Sequence, residues 1–198
     1  MIKSTKKYTD SEFSYAGKCE IDLSNFEKVI DNPEEFTSKG SCVTFYENGD
    51  ETFTEAKNEI LSWGYTQEDT EFLCLFEDES DLFDELNSWM VKKFNLKPPL
   101  KSALMCQMPG KVNPLHFDAY VRLRKDFKLD ESEFENIRRY LICLTDKLPG
   151  QFFCFGETDI SWKKNDIYTW EPGIYHATAN SSFEKRVIIH ITGVVDND

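Results

Sequence analysis

Pro114-Leu115-His116-Phe117-Asp118, Tyr175-His176 and Arg186-Val187-Ile188-Ile189-His190-Ile191 are the stretches whose reading decides what this chain builds. Two histidines and an aspartate in that order supply the donors of a 2-His-1-carboxylate group. In an extended strand His116 and Asp118 lie two apart and project to the same side, so one strand end presents two ligands to one metal. His176, from a distant strand, completes one face of an octahedral ion and leaves the other positions open to a chelating cosubstrate and O2. Arg186 narrows the reading. It follows His176 by ten residues, on a strand-like run, and its planar fork matches carboxylate geometry. A 2-oxoacid chelating the metal through its keto acid would reach that fork with its far carboxylate. Read singly, each residue has a duller account: a histidine satisfied in the core, an aspartate capping a turn, an arginine at a strand edge. The chain has only three histidines, however, and two fall at matching points of one pattern.

The surroundings of these residues read as strands. Segments 102–108, 117–124, 138–145, 151–156, 166–170 and 185–194 are short, rich in β-formers, and separated by Pro-Gly, Asn-Pro or Glu-Pro-Gly breaks. Gln107, on the strand before the motif, is a candidate to point inward beside the cosubstrate. His190 shares a strand face with Arg186 and is read as packing beneath the pocket. Trp170 and Tyr175 flank the distal histidine and are read as pocket wall or core. The acidic segment 126–136 reads as a surface loop or short helix.

On these residues the sequence resembles the Fe(II)- and 2-oxoglutarate-dependent dioxygenases, over 101–198. Within that superfamily it is most similar to the aspartyl/asparaginyl β-hydroxylases and related amino-acid hydroxylases. The likeness rests on Arg138-Arg139-Tyr140-Leu141-Ile142-Cys143-Leu144, then Gly150, Trp162, Asn165-Asp166, Tyr168, His176, Asn180 and Arg186. Peptidyl aspartyl hydroxylases lack the metal carboxylate; Asp118 supplies one here, as in the free-proline hydroxylases. The resemblance implies an α+β chain with a double-stranded β-helix (jelly-roll, cupin-like) core at 101–198. Residues 1–100 would form an α/β flank with buttressing helices, within a single domain. It implies Fe(II) held by His116, Asp118 and His176. The cosubstrate 2-oxoglutarate would be bound by Arg186, with Arg138 and Tyr140 sharing a strand face beside it. It further implies O2 as co-reactant and hydroxylation of an amino acid or a protein or peptide side chain. Two alternatives stay open: a cupin-like metal enzyme that does not use 2-oxoglutarate, and a non-catalytic β-helix that binds a partner.

Composition sets the outer bounds. With 198 residues the chain fits one domain, or one domain with a flanking subdomain, and can bury a sizeable core. A net charge of −13 and a pI near 4.7 argue against a phosphate-backbone partner, which needs a basic stripe. The six cysteines form no Cys-x-x-Cys pair, and no apolar leader follows Met1-Ile2-Lys3. Reduced thiols in a cytoplasmic protein are therefore expected. No apolar run approaches the roughly 18 residues of a membrane span.

The N-terminal half alternates. A short strand is expected at 17–21, a helix capped by Ser24 or Asn25 and ended at Asn32-Pro33, a turn opening at Pro33, and a strand at 41–46 closed by Asn48-Gly49-Asp50. Residues 53–63 have helical spacing ended by Gly64, 72–76 is a short apolar run, and 80–94 is the clearest helix. Its stripe of Leu82, Phe83, Leu86, Trp89, Met90 and Phe94 reads as core.

Overall fold

The computed structural model describes residues 13–32, 35–41, 51–118, 120–129 and 131–197. In chain order its elements are β1 (Phe13–Lys18), α1 (Ser24–Asp31), β2 (Ser38–Ser41), α2 (Glu51–Ser62), β3 (Glu71–Phe76), α3 (Asp84–Phe94), β4 (Leu96–Gln107) and β5 (Lys111–His116). There follow α4 (Val121–Phe127), β6 (Ile137–Cys143), β7 (Gln151–Phe155), β8 (Thr158–Asp159), β9 (Asp166–Trp170), β10 (His176–Asn180) and β11 (Arg186–Val195). Seven strands form one sheet in the order β1-β9-β6-β11-β4-β3-β2, and four form another in the order β5-β10-β7-β8. The strand pairs are antiparallel. The two sheets enclose a core, and the fold is a double-stranded β-helix.

The alternation of side chains decides which layer each residue enters. On β11, Val187, Ile189 and Ile191 join Tyr140 and Ile142 of β6 and Leu104 and Cys106 of β4 in a core under the helices. Phe26 and Ile30 of α1, and Leu86 and Met90 of α3, cover it. The opposite face of the same strands points between the sheets. There Ile188, Leu141, Cys143, Tyr168 and Trp170 meet Phe153 and Phe155 of β7. The stripe expected on 80–94 is core as read: Phe83, Leu86 and Met90 are fully buried, with Leu82, Trp89 and Phe94 packed at the margin.

Several boundaries differ from the sequence reading. Segment 117–124 is not a strand: β5 ends at His116, Tyr120 turns through a left-handed φ of 52°, and α4 follows. Tyr120 and Leu123 are buried with Ile137 and Val194, and Phe127 packs against them. Their spacing of three and four is helical, which the β-forming composition masked. Strand β4 begins well before Ser102. The prolines beyond α3 do not end that helix, because Asn95 does so in a left-handed cap (φ 51°). Pro98 and Pro99 instead fall where the β4–β11 register slips, between the Lys97–Val194 and Lys101–Thr192 pairs, and Pro is tolerated at such a bulge. Strand β10 carries His176 as the reading of a distant strand required, but its range was not among the expected strand segments. In the N-terminal half β1 lies four residues earlier than expected, and Leu23 rather than Ser24 or Asn25 occupies the helix cap. The expected turn at Pro33 lies partly, and the strand over 41–46 almost wholly, outside the described residues. This half supplies β1, β2 and β3 to the large sheet as well as helices. Among the described residues no helix is long and apolar enough to cross a membrane.

Candidate metal centre and anion pocket

His116 is the last residue of β5 and His176 the first of β10, and the two are direct partners across the ladder. Their rings lie 4.3 Å apart between centroids. Asp118 lies just past the strand end, and one donor atom from each of the three falls within 4.8 Å of the others. Backbone carbonyls set the two imidazole tautomers. The His116 Nδ1–H donates to the Pro114 carbonyl at 2.7 Å, and the His176 Nδ1–H donates to that of Ile174 at 3.1 Å. Each ring thus keeps Nε2 as a lone-pair donor. The His176 Nε2 is 3.8 Å from the Asp118 Oδ2, and the Asn113 amide approaches the His116 Nε2 at 3.4 Å. Burial, with a smaller push from His116, brings the His176 pKa down to about 3, so this ring is neutral at ordinary pH.

Arg139 and Tyr120, which the sequence reading did not single out as site residues, complete the surroundings of the carboxylate. Arg139 approaches the Asp118 Oδ2 with its terminal nitrogen at 3.2 Å and Nε at 3.3 Å, and the Tyr120 hydroxyl donates to the same oxygen at 3.3 Å. The guanidinium also lies over the Tyr120 ring, 5.1 Å from its centroid. Burial alone would raise the Asp118 pKa. Arg139, then His176 and His116, outweigh burial and hold the carboxyl well below the usual range. Two imidazole nitrogens and one carboxylate are the mixed donor set that suits first-row divalent ions such as iron(II).

Arg138 and Tyr140 do not reach this cluster. Strand β6 alternates so that Arg139, Leu141 and Cys143 face inward, while Tyr140 packs in the helix-side core against Phe94, 4.6 Å between ring centroids. Arg138 pairs with Glu171 at 3.2 Å and donates to backbone carbonyls beside its own strand. The strand was read correctly; its inward face carries the odd-numbered residues, one position away from the pair expected.

Arg186 opens β11 opposite Gln107 of β4, and both point between the sheets. The residue is 4% exposed, yet its Nε and one terminal nitrogen have no hydrogen-bond partner among the described residues. Its guanidinium lies over Phe153 and Trp162, 5.4 and 6.0 Å from the ring centroids. Burial lowers its pKa to about 10, so it remains a cation at neutral pH. One cavity is lined by Arg186, His176, Gln107, Thr178 and His190 together. Gln107 donates to the Thr178 hydroxyl at 3.1 Å, and its amide oxygen has no partner among the described residues. His190, read from sequence as packing, lies on this cavity, 6.4 Å from Trp170 between ring centroids. Trp170 is buried against Phe153, Phe155 and His176, and Tyr175 packs edge-on to Phe117.

A polar knot fixes where Arg186 enters. The Asn180 amide donates to the carbonyls of Gln107 and Glu184, each at 2.9 Å, and accepts from the Ser182 hydroxyl at 2.7 Å. Gln151 of β7 donates to Ser182 and Glu184. The turn from β10 to β11 is thereby tied to β4 and β7, the strands flanking the cavity.

No family model matches the sequence, and no curated protein is similar to it. Solved structures are. The non-heme alpha-ketoglutarate-dependent carbocyclase SnoK from nogalamycin biosynthesis superposes with a TM-score of 0.60 at 10% identity, over 95% of this chain and 81% of that one. EvdMO1 gives 0.59 at 14%, over 96% of this chain and 49% of the other. The nickel complex of the non-heme monooxygenase ThoJ gives 0.52 at 12%, over 95% and 75%. Identities this low establish a shared fold: the chain is a double-stranded β-helix with a His-Asp-His group able to hold a metal.

Proposed function

We propose that this chain is an Fe(II)- and 2-oxoglutarate-dependent oxygenase that hydroxylates an amino acid or a side chain of a peptide or protein. The observation that carries the reading is Arg186: a buried guanidinium with unpaired donors, on the cavity that His176 also lines. An unpaired buried charge is costly, and an incoming carboxylate is the partner that relieves the cost. Two fold neighbours, an alpha-ketoglutarate-dependent carbocyclase and a non-heme monooxygenase, support the same chemistry.

His116, Asp118 and His176 would hold the iron. Bound there, iron(II) supplies the O2 activation that couples decarboxylation of 2-oxoglutarate to succinate with hydroxylation of a substrate C–H bond. The protein's own residues do the rest. The carbonyls of Pro114 and Ile174 hold the imidazoles in the ligating tautomer, and Arg139 with Tyr120 keeps Asp118 ionised and aimed. Arg186 would grip the far carboxylate of the cosubstrate, while Phe153 walls the cavity and strengthens that ion pair by excluding water.

The test is succinate release from 2-oxoglutarate by the iron-loaded protein, screened against free amino acids and short peptides. Release stimulated by one of these supports the assignment. A protein that binds iron yet never consumes 2-oxoglutarate would belong instead with metal enzymes that do not use this cosubstrate.

A further inference from the structure

The mechanism above uses two of the three histidines in the chain. The third, His190, lies on β11 between Ala103 of β4 and Leu141 of β6, on the inward face that also carries Arg186 and Ile188. The residue as a whole is half-buried, but its Nε2 is closed off from solvent and meets no partner among the described residues. A polar ring nitrogen in that state is costly unless a ligand completes it. Arg186, which also has unpaired nitrogens, lines the same cavity, so two residues with unmet hydrogen-bonding capacity border one space.

We infer that His190 is a second cosubstrate-positioning residue, giving its Nε2–H to an oxygen of 2-oxoglutarate in the cavity where Arg186 would hold the far carboxylate. This rests on the function proposed above. The ring is suited to the task because it stays neutral. Burial first, then Arg139, push its pKa well below the usual histidine value, and Asp118 opposes them only in part. A neutral imidazole carries one N–H, and a carboxylate or keto oxygen, which only accepts, selects the tautomer with that proton on Nε2.

With three histidines the experiment needs no mutation. Protein labelled with nitrogen-15 histidine and loaded with diamagnetic Zn(II) should show three imidazoles, two of them metal-bound. On titration with 2-oxoglutarate, the His190 N–H signal should move downfield and exchange more slowly with water, saturating with the calorimetric binding curve. In the same calorimetry His190→Leu should bind about 10- to 100-fold more weakly, the range for loss of one hydrogen bond to a charged group. His190→Gln, which restores an N–H donor, should recover part of that loss. Calorimetric binding that leaves the His190 signal unmoved would overturn the inference and leave the oxygenase reading intact. No binding of 2-oxoglutarate by the metal-loaded wild type would remove that reading, and the inference with it.

Discussion

Asp118 shows how one side chain is tuned by partners distant in sequence. Its position two residues after His116 was legible. Its dependence on Arg139 was not, because that contact spans 21 residues and turns on which face of β6 looks inward. Asp118→Ala should weaken divalent-ion binding by at least about 100-fold, more than loss of a supporting hydrogen bond costs such sites. Calorimetric titration with Mn(II) or Ni(II) measures this, and an unchanged affinity would remove Asp118 from the ligand set. The histidines predict a pH effect in the metal-free chain. His176 is neutral in the fold down to about pH 3 but titrates near 6.5 when unfolded, so the unfolded state binds the extra proton between those limits. Stability is therefore complete above about pH 6.5 and falls as pH drops through the window, by about 2 kcal/mol per such ring between pH 6.5 and 5. His190 acts in the same direction. Urea melts at pH 7 and pH 5 should show the decline, and His176→Gln should flatten it. Equal midpoints at the two pH values would contradict the buried, neutral placement of these rings.

At the scale of elements, most strands were legible because β-branched and aromatic runs broken by Gly and Pro are a local signal. What failed was local signal of the wrong kind. His176-Ala177-Thr178-Ala179-Asn180 forms β10 with buried His, Thr and Asn, and a strand whose inward face is polar presents no hydrophobic alternation. The inward face of β6 could not be chosen from sequence either, since Arg138, Arg139 and Tyr140 offer polar groups to both sides. Asn180 makes the argument testable. Its amide serves the carbonyls of Gln107 and Glu184, the residue facing Arg186 and one two positions before it. Asn180→Ala takes this donor from the buried Gln107 carbonyl, while Glu184 keeps those of Gln151 and Ser182, and should destabilise the chain by about 1 to 3 kcal/mol, read from urea midpoints. The same variant should bind 2-oxoglutarate more weakly while keeping its affinity for metal. An effect on metal alone would show that the knot serves the ligands rather than Arg186.

For the whole molecule, the order His-x-Asp, His, Arg conveyed the fold because a double-stranded β-helix is what brings those positions together. The ladder pairing His116 with His176 joins residues 60 apart, and β11 then places Arg186 on the facing sheet. The net charge of −13 keeps a small or peptide substrate the expectation rather than nucleic acid. Substrate choice was not legible, since specificity lies in the shape of loops around the cavity and not in the ligand pattern. The central claim is that Arg186 anchors a 2-oxoacid cosubstrate beside a metal held by the three ligands. It is tested most directly by titrating 2-oxoglutarate anaerobically into the Fe(II)-loaded protein and following the visible charge-transfer absorption of the chelate. The wild type should saturate. Arg186→Ala should keep its iron but lose about 2 to 5 kcal/mol of cosubstrate binding, roughly 30- to several-thousand-fold, with Arg186→Lys in between. Superimposable titrations for wild type and Arg186→Ala would contradict the account.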